Sequence, residues 1–237
     1  AHVYERFNRV QVGKGYALDY LFKQMKKDQV FDDYDAFVVF DADNIVDKGY
    51  IRAMNDTFSM GYRAITSYRN SKNYESNWIS AGYSLWFLRE AKYLNQARMN
   101  LNTSCAVSGT GFLVHHDIIE KMDGWKYHTL TEDVEFSTSC AVQGEQIGYC
   151  GQAVFYDEQP VTLKQSWIQR LRWAKGFYQV LGKYGKDLAK GIFRRHSFAC
   201  YDMLMTIFPA LILMLLGLTC SIAQVSYAVF VGNVPEV

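Results

Sequence analysis

The sequence predicts an α/β domain that runs into a membrane-spanning helix, and three patterns carry that expectation. Ala17, Leu18, Leu21, Phe22 and Met25 recur at helical spacing after a Gly13-Lys14-Gly15 turn. The apolar run Ala36-Phe37-Val38-Val39-Phe40 then stops abruptly at Asp41-Ala42-Asp43-Asn44. Residues 203–235 hold no charged side chain at all. Helical and strand patterns alternating in this way favour an α/β domain.

The first helix begins after Gly13, where a backbone turn could hold an anion at the helix N-terminus, although a lone Gly-Lys-Gly is a weak signal. The short apolar run after it suits a buried central strand. Acidic residues at the carboxyl end of such a strand lie where open α/β sheets bind their ligands. The apolar C-terminal stretch exceeds the roughly 20 residues that cross a bilayer. Lys183, Lys186, Lys190, Arg194 and Arg195, opposed only by Asp187, precede it and predict a cytosolic flank. Pro209 and Gly217 are expected to kink this helix without ending it.

Composition excludes some classes. Twenty-five Lys and Arg against 24 Asp and Glu give a net charge of +1, so no global field points to nucleic acid. The five cysteines, Cys105, Cys140, Cys150, Cys200 and Cys220, form no CxxC pair and no zinc-like cluster, and are expected to be reduced. The chain opens at Ala1 without methionine or signal peptide, and is expected to be a piece of a longer protein at both ends.

Several short motifs could carry chemistry. Asp41 and Asp43, two apart at a strand end, can reach a hard cation such as Mg²⁺ or Mn²⁺ and through it a diphosphate; a polar strand exit with Asn44 in a turn explains them equally. In Thr129-Leu130-Thr131-Glu132-Asp133, Asp133 could act as a general base, while Thr129 and Glu132 also fit a capping box. Ser108-Gly109-Thr110-Gly111 either lets backbone approach a ligand or makes a plain tight turn. Helical spacing from Gln165 to Trp173 puts Gln169, Arg172 and Trp173 on one face and Trp167, Ile168, Leu171 and Tyr178 on another. The first face suits a diphosphate and a sugar, and the second suits the domain core or a membrane surface. His115-His116 has no third ligand in view.

Taken in order, Asp41-Ala-Asp43, the Ser108 glycine turn, Thr131-Glu132-Asp133 and Gln169-Arg-Leu-Arg172-Trp173 ahead of an apolar helix resemble the processive family 2 glycosyltransferases, the group of the cellulose, hyaluronan and chitin synthases. The resemblance implies a GT-A-type, Rossmann-like domain, a nucleotide-sugar donor, usually a UDP-sugar, and a divalent metal. By position it implies that Asp43, helped by Asp41, binds metal and diphosphate, that Asp133 is the base with Glu132 beside it, and that Gly109 and Thr110 approach the substrate. It further implies that Gln169 and Arg172 contact the diphosphate or acceptor, that Trp173 lines the acceptor site and that Lys14 lies near the nucleotide. The resemblance also implies a preceding strand and loop that hold the nucleobase, and this chain is expected to start after them.

The expectation is therefore a membrane-bound inverting transferase that extends a polysaccharide. It comprises a cytosolic catalytic domain over 1–182, a basic interfacial segment over 183–200 and a transmembrane helix with a truncated loop over 201–237 of a multi-pass protein. The partners expected are a nucleotide-sugar, a glycan acceptor and the lipid bilayer. Three rivals stand beside it: a non-processive transferase adding one sugar to a lipid or protein, an aspartate-nucleophile phosphatase, and a decayed transferase that only binds. Ile45 at the fifth position after Asp41 departs from the phosphatase pattern, and the intact carboxylates at Asp41, Asp43 and Asp133 speak against decay.

Overall fold

Alternation along the strands decides the layering. In the computed structural model, which describes residues 2–208 and 210–231, β4 (Phe112–His115) sends Phe112 and Val114 to one face of a sheet and Leu113 to the other. β3 (Ala64–Ser71) does the same with Ala64 and Ile65. The sheet has five strands in the order β1 (Ala36–Val39), β4, β3, β5 (Ile147–Asp157), β2 (Ile45–Val46). β3 and β5 run parallel and the other neighbouring pairs antiparallel. The β3–β5 register slips between Ser67 and Tyr68, opposite Cys150 and Val154, which curls the sheet.

One face is covered by α1 (Lys14–Lys27) and α6 (Glu132–Gln143), which enclose Phe22, Phe31, Val114, Trp125 and Phe136. The other lies under α2 (Tyr50–Phe58), with Tyr50, Met54, Ile65 and Phe155 at its centre. Between β3 and β4 runs one helical rod: α3 (Trp78–Leu88), a π-helical stretch (Arg89–Asn95) and α4 (Gln96–Asn100). The short α5 (His116–Lys121) follows β4. The long α7 (Leu163–Arg195) opens on a capping box between Thr162 and Gln165 and packs on α6.

Three expectations are corrected. Among the described residues β1 is an edge strand, not a central one. Its apolar run is explained by packing, since the Phe37 ring meets Phe22 and Phe31 at centroid distances of 5.0 Å each. The C-terminal apolar stretch is not one helix but two, α8 (Phe198–Ile207) and α9 (Ala210–Val231), and α9 continues through Gly217. Phe208 is extended (φ −68°, ψ 116°), the conformation favoured by a residue that precedes proline. Pro209 itself lies outside the described residues. Cys200, Met203 and Ile207 of α8 are buried against Ala106, Ala141, Val180 and Leu188, so α8 belongs to the domain core. α7 crosses position 183 without interruption, and Lys183 is opposed by Glu135 rather than left free for a charged flank. Of the two surroundings expected for Trp167, Ile168, Leu171 and Tyr178, the domain core is not the one found: each is exposed, Trp167 by 72%. Cys105, Cys140, Cys150 and Cys200 are free and buried, and Cys220 is free and exposed.

Among the described residues, no helix is long and apolar enough to cross a membrane. α9 itself runs 22 residues without an acidic or basic side chain.

Candidate active site

The carboxyl ends of β1, β3 and β5 and the start of β4 meet at one edge of the sheet, the edge where α/β sheets take their ligands. Gly111 N donates to Val39 O at 2.9 Å, so the Ser108–Gly111 turn prolongs the β1–β4 ladder to the Asp41 strand exit. Asp41 N donates to Thr110 Oγ1 at 2.9 Å, and Thr110 donates in turn to Asn44 Oδ1. Asn44 Nδ2 donates to Asp157 Oδ1 at 3.2 Å, and Asp157 is paired with Arg69. The strand exit is thus held from beneath by a buried ion pair that sequence reading missed.

Lys14 joins the two halves of this edge. Its Nζ lies 2.6 Å from Asp41 Oδ1 and donates to Gly109 O, also at 2.6 Å. Gly109 has φ +77°, and a Cβ placed there would lie 3.7 Å from Asp133 Oδ2 and 3.8 Å from an Arg69 nitrogen. The glycine therefore lets backbone sit beside the Asp133 carboxylate in a left-handed conformation that side chains rarely adopt. Lys14, Asp41, Gly109, Thr110 and Asp133 share one cleft. Asp43 is exposed next to it, its backbone oxygen taken by Lys72 Nζ at 2.7 Å.

The expected capping box at Thr129 and Glu132 does not form. Thr131 stands at the start of α6 and makes no side-chain cap, so Glu132 and Asp133 enter the first turn with their carboxyls directed at the cleft's charges. Burial pushes the Glu132 carboxyl up to about 7, with the neighbouring Asp133 charge adding to it, while Lys14 and Arg172 oppose it. Burial also raises the Asp133 carboxyl, against backbone N–H bonds at the helix start and the fields of Lys14 and Arg69. The two acids titrate as a pair.

α7 supplies the other wall. Arg172 donates to Leu130 O at 2.9 Å, which aims its charge at the turn before Glu132. Gln169 Oε1 is buried without a hydrogen-bond partner among the described residues, an acceptor left open at this wall. Trp173 instead packs edge-on against Tyr83 and Phe87 of α3, at 5.8 and 6.2 Å between centroids. The Arg69 guanidinium stacks 3.6 Å above Phe87, so Trp173 supports the floor of the cleft through two rings. Arg69 and Asp157 were not singled out by sequence, since isolated charges on strands carry no signal until pairing brings them together.

His115 and His116 do acquire a third neighbour, Asp117, their ligand atoms all lying within 4.8 Å of one another. They sit at the opposite end of β1 and β4 from Asp41, because His115 pairs with Ala36 while Val39 pairs with Phe112. That cluster is separate from the cleft.

Comparison with known proteins agrees with this geometry. Residues 36–234 match the family described as Glycosyl transferase family group 2. The chain is 32% identical over 102 residues to "Probable glycosyltransferase YdaM" of Bacillus subtilis (strain 168), covering 43% of this chain and 24% of that protein. It is 27% identical over 142 residues to "Beta-monoglucosyldiacylglycerol synthase" of Synechocystis sp., covering 60% and 29%. It is 26% identical over 171 residues to "Poly-beta-1,6-N-acetyl-D-glucosamine synthase" of Staphylococcus aureus, covering 71% and 40%. The chain thus spans between a quarter and two fifths of the length of these relatives. With the family match extending from β1 to beyond α9, the chain belongs to glycosyl transferase family group 2.

Proposed function

We propose that the chain is the catalytic part, of GT-A type, of a membrane-bound inverting hexosyltransferase that moves a sugar from a UDP-sugar to a growing polysaccharide. The observation that carries this reading is the meeting of Lys14, Asp41 and Asp133 around the Gly109 backbone. A cation, a strand-end carboxylate and a half-buried acid brought together are the groups needed to hold a diphosphate and to accept a proton beside it.

Asp133 takes the proton of an acceptor hydroxyl, whose oxygen forms a bond to the anomeric carbon as the bond from that carbon to the diphosphate oxygen breaks. Attack comes from the face opposite UDP, so configuration inverts. Lys14 and Arg172 face the charge that accumulates on the departing diphosphate. The exposed carboxylates of Asp41 and Asp43 are a hard oxygen donor set that fits Mg²⁺ or Mn²⁺, and they would hold such an ion. When bound, it supplies charge neutralisation at the diphosphate. Glu132, its carboxyl raised by burial and by the neighbouring Asp133 charge, stands beside the base.

Attachment to a bilayer through α9 is part of the reading. Leu215, Leu216, Leu218, Ile222, Val225, Val229 and Phe230 of this uncharged helix are exposed, an apolar surface that suits contact with lipid. Arg194 and Arg195 in the last turn of α7 suit the cytosolic side. The proposed division therefore shifts from 1–182, 183–200 and 201–237: the catalytic domain runs through α8, the basic residues from Lys183 to Arg195 lie on α7, and the membrane segment begins at α9.

A second reading is favoured by the exposed aromatic face of α7 and by the relative named as a glucosyldiacylglycerol synthase: addition of one sugar to a lipid acceptor held at the membrane surface. Incubating full-length protein in membranes with each UDP-sugar and Mg²⁺ or Mn²⁺, then sizing the product, decides between them. A polymer supports the first reading and a single-sugar lipid the second. No transfer from any nucleotide-sugar would refute both.

A further inference from the structure

The loop between β1 and β2 carries Asp41 and Asp43, and a different neighbour fixes each. Asp41 N donates to Thr110 Oγ1 at 2.9 Å, and Asn44 Nδ2 donates to Asp157 Oδ1 at 3.2 Å. The Asp43 carboxylate is exposed, and its Oδ1 meets Asn44 Nδ2 at 3.5 Å, the outer limit of a hydrogen bond. What is held at Asp43 is its backbone, since Lys72 Nζ donates to Asp43 O at 2.7 Å. That carbonyl begins the peptide between Asp43 and Asn44, so the bond fixes the rotation of the chain at the Cα from which the carboxylate projects.

Lys72 reaches the loop from a firm base. Its own N donates to Asp157 O at 2.9 Å, one step beyond the last β3–β5 pair, Ser71 with Asp157. Directly after it, Asn73 Nδ2 donates to Gln159 O at 2.8 Å and Gln159 N donates to Asn73 Oδ1 at 2.9 Å. Asn77 Nδ2 donates to Val161 O at 2.7 Å. The connection from β3 to α3 is thus fastened to the connection from β5 to α7 at successive points. The Lys72 ammonium has a second neighbour, Glu158 Oε2 at 3.3 Å, but the Glu158 side chain is 63% exposed against 21% for Lys72. A pair with one partner in water contributes little, so the charge-assisted bond to Asp43 O is the stronger hold.

Resting on the transferase reading, with Asp43 as a cation ligand, we propose that Lys72 is a positioning residue for Asp43: its bond to the Asp43 carbonyl sets the direction of the carboxylate that would hold a divalent cation. Lys72 acts through the backbone. Two consequences of removing it have opposite signs. Loss of the bond frees Asp43 to turn and weakens cation binding, whereas loss of a nearby positive charge alone would strengthen it. The direction of the change in affinity therefore separates positioning from a charge effect.

The test titrates full-length protein with Mn²⁺ in the presence of UDP and reads free Mn²⁺ by electron paramagnetic resonance, which needs no transfer. Lys72→Met keeps the stem and removes the donor, and should weaken Mn²⁺ binding by about tenfold, the lower end of the usual effect of a group that supports a metal ligand. Lys72→Arg keeps a charged donor and should recover most of that loss. Glu158→Gln should change the affinity by less than about threefold, as for an exposed pair. With the UDP-sugar that the wild type uses, the Mn²⁺ concentration for half-maximal rate should rise in Lys72→Met by a similar factor, and kcat at saturating Mn²⁺ should fall by less. A melting midpoint close to that of wild type controls for folding, and Lys72→Ala is read in the same way should Lys72→Met fail that control. Unchanged or tighter Mn²⁺ binding on loss of Lys72 would overturn the proposal. A wild type that transfers sugar yet binds no Mn²⁺ would overturn it too and leave the transferase reading standing. Weakened Mn²⁺ binding by both Asp43→Ala and Lys72→Met in a protein that transfers no sugar would uphold the positioning role and remove the transferase reading.

Discussion

Replacing Asp157 by Asn removes one charge from the floor of the cleft and leaves its shape intact. The Asp157 and Arg69 side chains are 6% and 14% exposed. The carboxylate receives Arg69, Asn44 Nδ2 at 3.2 Å and Gln159 Nε2 at 3.2 Å. An amide keeps one accepting oxygen and presents an NH2 group where the other accepted. The guanidinium is then left buried with Ser108 O and the Phe87 ring as its partners. Breaking one side of a buried pair costs about 3–5 kcal/mol. The ring face still attracts the cation by about 1–2 kcal/mol, which places the loss near the lower end of that range. For a protein of this size about 3 kcal/mol corresponds to a fall of about 6–12 °C in melting midpoint, measurable by scanning fluorimetry of the full-length protein. Arg69→Met with Asp157→Leu removes both charges and should recover most of that loss, because apolar replacement of a buried pair is often neutral. Transfer should stay impaired in the double variant, since Asn44 has lost the group that holds the Asp41 exit. A midpoint for Asp157→Asn within about 1 °C of wild type would refute the reasoning.

Other outcomes follow from the same geometry. Asp133→Asn should retain UDP binding by calorimetry and lower turnover by about 10² or more; a rate near wild type would reduce Asp133 to a helix-start residue. Because the Glu132 carboxyl is raised to about 7, the fold binds its proton more tightly than the unfolded chain does, so this group's contribution is complete below its ordinary range and is lost as pH rises through about 7. Glu132→Gln should flatten the melting midpoint against pH between the ordinary carboxyl range and pH 7, and an unchanged slope would contradict the assignment. Arg172→Lys keeps the charge but not the planar fork, so activity should fall while membrane partition holds; full activity would count against a diphosphate contact. Impermeant thiol reagents applied to spheroplasts should fail to label a cysteine at exposed Lys190, and labelling from outside would reverse the proposed topology.

Local patterns were legible wherever the residues that make an element are neighbours in sequence. α1 begins at Lys14 after the Gly13 turn, Asp41 and Asp43 follow a strand, and Gln169, Arg172 and Trp173 lie on one helix. What depended on distant partners was not legible. β1 looked central because its side chains are apolar, yet the pairing that makes it an edge comes from β4, more than seventy residues later. Arg69 and Asp157 are unremarkable charges until parallel pairing sets Arg69 beside Phe155 and Ser71 beside Asp157. The apolar stretch after 200 gave no sign that its first part packs on Ala106 and Ala141, because hydropathy does not tell a core helix from a spanning one.

The base and the proposed membrane attachment are linked by one element. The turn ahead of Asp133 is fastened to α7 at successive points: Arg172 donates to Leu130 O, Gln179 Oε1 accepts from Leu130 N at 3.0 Å, and Lys183 is paired with Glu135. Glu135, wholly buried, also accepts from His128 N and Thr129 N at 3.0 and 2.9 Å. Burial works against the Lys183 charge, but the bond and field of Glu135 outweigh it and hold the ammonium above its ordinary value. Between these fastenings Gly176 presses on Thr131, where a Cβ would come within 2.5 Å of its side chain. α7 runs on for a total of 33 residues, about 50 Å, to Arg195, and its second half packs on α8 through Val180 and Leu188. A helix clamped at one end to the base-bearing turn and at the other to the helix before α9 cannot shift along its axis without moving both. Under the proposed attachment, the spacing between cleft and membrane would be set by helix length rather than by a linker, and an acceptor held there would meet Asp133 at a fixed height.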